Sequence, residues 1–167
     1  MIKINKLSEH DVDELVNSFA KHDWHKPRFI FEGYLKEQEE DKRQIWVAKS
    51  KDLLGYVTLS SYSHYQPFFS RGIPEIMDLN VLPPFRNNGI ASKLMDLAEK
   101  NASDISKIVG IGVGLYDGYG QAQRLYVKRG YIPDGRGPTY NYQSLQYGQK
   151  VLVDDDLVLW FEKKLTA

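Results

Sequence analysis

Val81-Leu-Pro-Pro-Phe-Arg86-Asn-Asn-Gly89-Ile-Ala91 is the stretch that decides the fold. It follows a predicted strand, Glu75–Val81, and leads directly into a predicted amphipathic helix. Gly89 lets the backbone approach an anion without a Cβ in the way, and the first N–H groups of a helix have no partner within the helix. The stretch therefore predicts a phosphate-binding turn, with a plain helix cap as the alternative interpretation.

Strands alternate with helices only in the second half of the chain, and the predicted order is β, α, α, β, β, β, α, β, α, β, β. This order predicts a mixed α/β fold, with helices on both faces of a mixed sheet, in one domain covering residues 1–167. The predicted strands are Ile2–Leu7, Gln44–Lys49, Leu54–Ser60, Glu75–Val81, Ile108–Leu115, one starting at Tyr131, and Leu157–Phe161. The predicted helices follow Ser8, cover Phe29–Glu39, run from Asn87 or Asn88 to about Asn101, and cover Gly120–Arg129, whereas His64–Gly72 is predicted to be an irregular loop.

The strand Ile108–Leu115 has an unusual pattern. Its apolar side chains share one face, and Gly110, Gly112 and Gly114 share the other. A face without side chains predicts that a helix or a ligand approaches it closely.

Charge and composition exclude several classes of function. Lys plus Arg and Asp plus Glu both number 22, so there is no bulk attraction to nucleic acid or to an anionic membrane. The chain has no cysteine, and its four histidines lack metal-ligand spacing, so we expect no metal site. Met1–His10 is polar and no apolar run is long enough to cross a membrane, which makes the cytoplasm the expected compartment.

A second block, Ala122-Gln-Arg-Leu-Tyr126-Val-Lys-Arg-Gly130-Tyr131, adds specificity to the first. The strand Glu75–Val81 followed by Arg86-Asn-Asn-Gly-Ile-Ala91 resembles motif A of the GNAT acetyltransferase superfamily, and the second block resembles its motif B. The two blocks have the order and spacing of that family. The resemblance covers residues 44–132 well, and the order of elements matches over nearly the whole chain.

The resemblance implies that the chain uses acetyl-CoA, without a metal, in a fold whose mixed, mostly antiparallel sheet splays between the fourth and fifth strands. The backbone after Arg86 would hold the pyrophosphate, and the backbone of the fourth strand would pair with the pantetheine arm. Tyr119 stands where many relatives have Asn. The implied cofactor-binding residues are Leu79, Asn80, Val81, Arg86, Asn87, Asn88, Gly89, Ile90, Ala91, Ser92, Tyr119 and Ala122.

Three residues are candidates for catalysis. Tyr126 stands where the family keeps a tyrosine that can protonate the leaving CoA thiolate, and a packed helix tyrosine is the alternative. Glu75 and Asp78 lie on the strand beside the expected thioester, and either could take the proton of the substrate ammonium. Alternation places them on opposite faces unless a bulge intervenes, and a structural carboxylate is the alternative for each.

The acceptor amine is the least defined part of the prediction. A small-molecule amine is expected, a protein or peptide amine is the alternative, and a non-catalytic acyl-CoA-binding module is a third possibility. A homodimer is also left open. The resemblance implies that protein N-terminal acetylating relatives often carry a Glu near the position of Gly114, which argues against that activity here. Gly110–Gly114 also lacks the spacing of a dinucleotide-binding motif, which argues against a nucleotide-binding fold. Aromatic candidates for the acceptor wall are Trp24, His25, Phe31, Tyr34, Tyr62, His64, Tyr65, Phe68 and Phe69, and Asp154–Asp156 is predicted to be a turn before the last strand.

Overall fold

A computed structural model of the chain describes residues 1–166. Two compact units divide it: the first consists of Met1–Ser61 and Ile76–Asn101, and the second of Tyr62–Glu75 and the residues from Ala102 onward. The predicted mixed α/β fold, with a mostly antiparallel mixed sheet, is confirmed. The single-domain assignment and the splay between the fourth and fifth strands stay predictions.

The first unit has four strands in the order β1-β2-β3-β4, accompanied by three helices. Its strands are β1 (Lys3–Lys6), β2 (Arg43–Lys49), β3 (Leu53–Ser60) and β4 (Glu75–Val81), whose first residue belongs to the second unit. Its helices are α1 (Val12–Ala20), α2 (Arg28–Glu39) and α4 (Ile90–Ala102), whose last residue belongs to the second unit. β2 pairs antiparallel with both β1 and β3.

The apolar spacing of α1 explains why it packs. Asp11 accepts the backbone N–H of Ser8 at 2.8 Å, which fixes the start of the helix, and Val12, Leu15 and Phe19 then fall on one buried face. These side chains join a core of Leu7, Val12, Leu15, Phe19, Phe31, Ile45, Val47, Leu53, Tyr56 and Leu82. This core supports the strands that lead into the predicted phosphate-binding turn.

The second unit is built around its last strand. It contains β5 (Ile108–Gly114), β6 (Ile132–Pro133), β7 (Thr139–Tyr140), β8 (Gln143–Ser144), β9 (Leu157–Lys164), and the helices α3 (Gln66–Phe69) and α5 (Gly120–Lys128). β9 pairs antiparallel with β5, β6 and β7, and β7 pairs with β8. Tyr65, Phe68, Ile73 and Trp160 form its core cluster.

The prediction of an irregular loop over His64–Gly72 was wrong in part, because the segment contains the single-turn helix α3. The Tyr65 carbonyl accepts the N–H groups of Phe68 and Phe69, and Pro67 suits the first turn of a helix. A four-residue helix is too short to leave a periodic apolar pattern in the sequence.

Side chains of the second unit, most of them aromatic, fill the glycine face of β5. A Cβ on Gly110 would lie 2.2 Å from Phe68, and a Cβ on Gly114 would lie 2.3 Å from Tyr119. A Cβ on Gly112 would meet Trp160 and Val158 at 2.8 Å. The expectation of a close approach is correct, and the occupants are three rings and Val158 of the same unit.

Candidate functional site

The turn between β4 and α4 is the centre of the candidate site. A single 3-10 turn, Pro83–Phe85, follows β4 and is succeeded by four exposed residues before α4 begins at Ile90. Asn87 and Gly89 both have left-handed backbones, with φ of 63° and 77°. Left-handed residues that alternate with other conformations turn successive N–H groups toward one point, which is the geometry of an anion-binding concavity.

Gly89 is both the cap of α4 and an open position. Its carbonyl accepts the N–H of Lys93 at 3.1 Å, so Gly89 caps the helix and the predicted cap at Asn87 or Asn88 was wrong. The Asn88 side chain instead donates to the carbonyls of Phe85 and Arg86, both at 3.2 Å. A Cβ on Gly89 would meet nothing within 4 Å, so open space lies over this part of the turn.

Arg86 and the start of α4 make the turn electropositive. Arg86 Nε donates to the carbonyl of Val81 at 2.9 Å, which holds a guanidinium against the end of β4. Ile90 and Ala91 form the first turn of a helix of 13 residues, whose N-terminal dipole favours an anion. Ser92, also in this turn, is half-buried.

The end of β4 is tightly supported by β3. A Cβ on Gly55 would lie 2.3 Å from the carbonyl oxygen of Asn80, so only glycine permits this approach of the two backbones. The N–H of Leu82 donates to the carbonyl of Leu54 at 2.9 Å. Leu79 is half-buried and Val81 is buried, so the segment predicted to pair with pantetheine lies on a fixed support.

Asp78 lies at the irregular point of β4 and collects four donors. Its φ is 54°, so side-chain alternation does not continue through it and the opposite-face expectation for Glu75 and Asp78 loses its basis. Its carboxylate accepts the hydroxyls of Tyr34 at 2.9 Å and Tyr56 at 2.5 Å. The amide of Asn80 donates to it at 2.6 Å, and Lys26 Nζ lies 3.3 Å away.

These donors decide the protonation state of Asp78. Burial by itself would raise the pKa of the carboxyl, but the charge of Lys26 and the hydrogen bonds from Tyr56, Tyr34 and Asn80 hold the pKa below its usual value. Asp78 is therefore a weak base and a good partner for a cation at neutral pH.

Glu75 occupies a different setting, in the second unit. Its side chain is 4% exposed, and the hydroxyl of Ser63 donates to it at 2.5 Å. The same hydroxyl accepts the N–H of Tyr65 at 3.0 Å. Glu75 is thus a buried carboxylate that a loop holds in position, which suits either a base or a structural group.

Tyr119, Ala122 and Tyr126, the remaining predicted site residues, lie on or beside α5. Tyr126 is buried on that helix, and burial alone raises its pKa, so the hydroxyl keeps its proton at neutral pH. Tyr119 packs its ring under Gly114 and donates its hydroxyl to Asp155 at 2.9 Å, so its hydroxyl already has an acceptor within the unit. Ala122 is half-buried.

The aromatic residues predicted for an acceptor wall divide into core and surface. Phe31, Tyr65 and Phe68 are buried core residues, and Tyr34 binds Asp78. Those with substantial exposure are His25, Tyr62, His64 and Phe69, while Trp24 is half-buried. Asp154–Asp156 forms a turn before β9, as predicted, with Tyr140 donating to Asp154 at 2.8 Å.

Sequence reasoning missed Lys26 and Tyr56 as members of the site. They stand 52 and 22 residues from Asp78, and no spacing in the sequence signals that they meet it. Among residues 1–166, no group of three or more His, Cys, Asp and Glu side chains could hold a metal ion. None of the helices described is both long and apolar enough to cross a membrane.

Comparison with known proteins identifies the family of the chain. A sequence profile of the acetyltransferase (GNAT) family matches residues 8–131. No curated protein matches the chain significantly.

Solved structures with this fold include YncA of Salmonella typhimurium with its cofactor acetyl-CoA, at 14% identity and a TM-score of 0.70 over 99% of this chain and 94% of that one. They include the spermidine/spermine N-acetyltransferase SpeG of Vibrio cholerae, at 16% identity and a TM-score of 0.65 over 99% and 95%. The ribosomal-protein-alanine N-acetyltransferase of Brucella melitensis matches at 16% identity and a TM-score of 0.70 over 98% and 99%. At these identities the likeness shows the fold alone.

Proposed function

The chain belongs to the acetyltransferase (GNAT) family, and from this premise we propose that it transfers the acetyl group of acetyl-CoA to a primary amine of a small molecule. The observation that carries the proposal is the turn Arg86–Gly89. Its two left-handed residues and the open space over Gly89 suit the diphosphate of a coenzyme.

The cofactor-binding role is assigned to the turn and to β4. The N–H groups of Asn87 to Ala91 and the guanidinium of Arg86 would neutralise the diphosphate, because both place positive charge at the start of α4. The polar groups of Leu79–Val81 would pair with the amides of the pantetheine arm. Acetyl-CoA would supply the acetyl group as a thioester, which the acceptor amine attacks directly.

Tyr126 is the proposed acid. Its raised pKa means that it enters the reaction protonated, which is the state needed to donate toward a thiolate. Full proton transfer from such a group to a thiolate is unfavourable, because thiols are ordinarily stronger acids than tyrosine. The hydroxyl therefore acts mainly as a hydrogen-bond donor to developing negative charge.

Glu75 is the favoured base of the two carboxylates. Asp78 has a lowered pKa and four donors, so it has little tendency to take a proton. Glu75 accepts the hydroxyl of Ser63, which holds its carboxylate in a fixed position from which it could take the proton. The role left to Asp78 is to attract and orient a cation.

A small acceptor is favoured over a protein N-terminus by the lack of a Glu near Gly114, where the resemblance implies that protein N-terminal acetylating relatives often carry one. Tyr119 packs against Gly114, and a Cβ there would lie 2.3 Å from its ring. A Glu side chain has no room at this position.

A thiol-release assay tests the function. The protein is incubated with acetyl-CoA and separate panels of polyamines, amino sugars, amino acids and peptides with free N-termini, with Gly89→Glu protein as the blank. Release of CoA with one or more small amines supports the proposal. Release with peptides alone would assign a protein acetyltransferase, and tight acetyl-CoA binding without release under any panel would assign a non-catalytic acyl-CoA-binding module.

A further inference from the structure

The ammonium group of Lys26 lies among three aromatic rings and a carboxylate, groups that are suited to binding a primary amine. Lys26 lies in the irregular segment between α1 and α2, and its side chain is only 11% exposed. Its Nζ is 3.3 Å from Oδ1 of Asp78. A lysine this little exposed is rare unless its charge is paired, so the groups around this ammonium must compensate for its loss of water.

Three aromatic rings surround the ammonium. Nζ of Lys26 lies 5.0 Å from the ring centroid of Trp24 and 5.5 Å from those of Phe19 and Tyr56. The ring of Phe19 meets Trp24 edge to face at 5.1 Å and Tyr56 at 5.6 Å, so the three rings support each other. Rings within about 6 Å of a cation attract it through their quadrupoles, and this arrangement is an aromatic cage.

The carboxylate of the cage is positioned independently of Lys26. Tyr34, Tyr56 and Asn80 each donate to Asp78 at 2.5–2.9 Å. Three neutral donors would hold the carboxylate in place if the lysine withdrew, and the Asp78 side chain is 25% exposed, more than twice the exposed fraction of Lys26. The cage can therefore persist and admit another cation.

We propose that Phe19, Trp24, Tyr56 and Asp78 form the recognition site for the primary ammonium group of the acceptor, and that Lys26 occupies this site when no acceptor is bound. The proposal rests on the proposed function, because Asp78 directly precedes the β4 residues assigned to the pantetheine arm. The acceptor class is a primary alkylammonium, since a lysine side chain already fits.

The chemistry of the cage disfavours a quaternary ammonium and an uncharged alcohol. A carboxylate at 3.3 Å from the nitrogen requires N–H groups, which a quaternary ammonium lacks. An alcohol of the same length keeps the apolar contacts and loses both the charge and its attraction to the rings. Because Lys26 competes within the same molecule, the unmodified protein should bind acceptor more weakly than a variant whose cage is empty.

Calorimetry and thermal unfolding with n-butylammonium chloride test the proposal in Lys26→Ala. We expect binding at least tenfold tighter than in the unmodified protein, and a melting temperature that rises with n-butylammonium and not with n-butanol or tetramethylammonium. Lys26→Arg is the matched control, because it keeps the cage filled and should gain no affinity. Lys26→Ser, which also leaves the cage empty, serves if the alanine variant does not fold.

Equal binding of n-butanol and n-butylammonium to Lys26→Ala would overturn the proposal. It would also be overturned if Lys26→Ala bound n-butylammonium no more tightly than the unmodified protein does. Adding Asp78→Asn to Lys26→Ala should remove the gain in n-butylammonium affinity. If the double variant keeps that gain, the proposal is also contradicted. Acetyl-CoA titrated into the same proteins separates the two ideas. If acetyl-CoA does not bind, the proposed function is contradicted. If acetyl-CoA binds normally but n-butylammonium does not bind the emptied cage, only this inference is contradicted.

Discussion

Gly110→Ala tests whether aromatic packing, not a ligand, explains the glycine face of β5. The new Cβ would lie 2.2 Å from Cε2 of Phe68, and the ring would have to move by about 1.2–1.8 Å to restore ordinary contact. Phe68 is fully buried and is wedged edge-on against Tyr65 at 4.9 Å and Trp160 at 5.6 Å, so it has little freedom to move. Overpacking of such a core costs about 1–3 kcal/mol of unfolding free energy.

Thermal and denaturant unfolding measure this cost. A loss of that size lowers the melting temperature of a chain of this length by about 2–12 °C. Gly33→Ala is the matched control, because Gly33 is exposed within α2 and a Cβ there meets nothing within 4 Å. The control should gain about 0.5–1 kcal/mol, since alanine is the better helix former.

A double variant refines the result. Phe68→Leu removes the ring atoms that the new methyl would strike, so its combination with Gly110→Ala should be less destabilised than the sum of the two single variants. The reasoning is refuted if Gly110→Ala is as stable as the unmodified protein, or if the double variant shows no such coupling.

Three further predictions concern single groups. Tyr126→Phe should lower kcat by about tenfold or more with little change in acetyl-CoA affinity, measured by steady-state kinetics and calorimetry; an unchanged kcat would remove tyrosine from the mechanism. Asp78→Asn should lower the free energy of unfolding by about 2–3 kcal/mol at pH 7. Because the folded pKa of Asp78 is lowered, its stabilising contribution is present above the ordinary value of 3.8 and is lost as the pH falls through the folded pKa, so unfolding curves of the two proteins should converge in acid. Burial raises the pKa of Tyr119 and Tyr126, so the free energy of unfolding should fall as the pH rises above 10, and stability that is flat from pH 9 to 12 would contradict their burial.

Much of the fold could be predicted because its signals are local. The apolar spacing of α1 and the strand Glu75–Val81 are periodic over several residues, and the structure has both elements where the sequence predicts them. The hairpin β7–β8 was missed for a local reason too. Its turn residues Asn141 and Tyr142 have φ of 48° and 66°. A two-residue turn of this kind is usually Asn-Gly, and here a tyrosine takes the place of the glycine that would have predicted it.

The cage around Lys26 could not be predicted, because it depends on contacts between distant parts of the chain. Phe19 and Trp24 come from the region of α1, Tyr56 from β3 and Asp78 from β4. Each residue has an ordinary interpretation by itself, as core or as surface. Only the folded arrangement shows that one lysine, one carboxylate and three rings meet.

Calorimetric titration of CoA, with pantetheine as the ligand that lacks the diphosphate, tests the central claim most directly. The proteins compared are the unmodified chain, Gly89→Glu and Gly148→Glu. Gly148 is a matched control, because it is also exposed, has φ of 82° and has nothing within 4 Å of a built Cβ. The account predicts that Gly89→Glu loses CoA binding and retains the weaker binding of pantetheine, while Gly148→Glu binds CoA like the unmodified protein. CoA binding of equal strength in all three proteins would contradict the assignment of the turn before α4 as the diphosphate site.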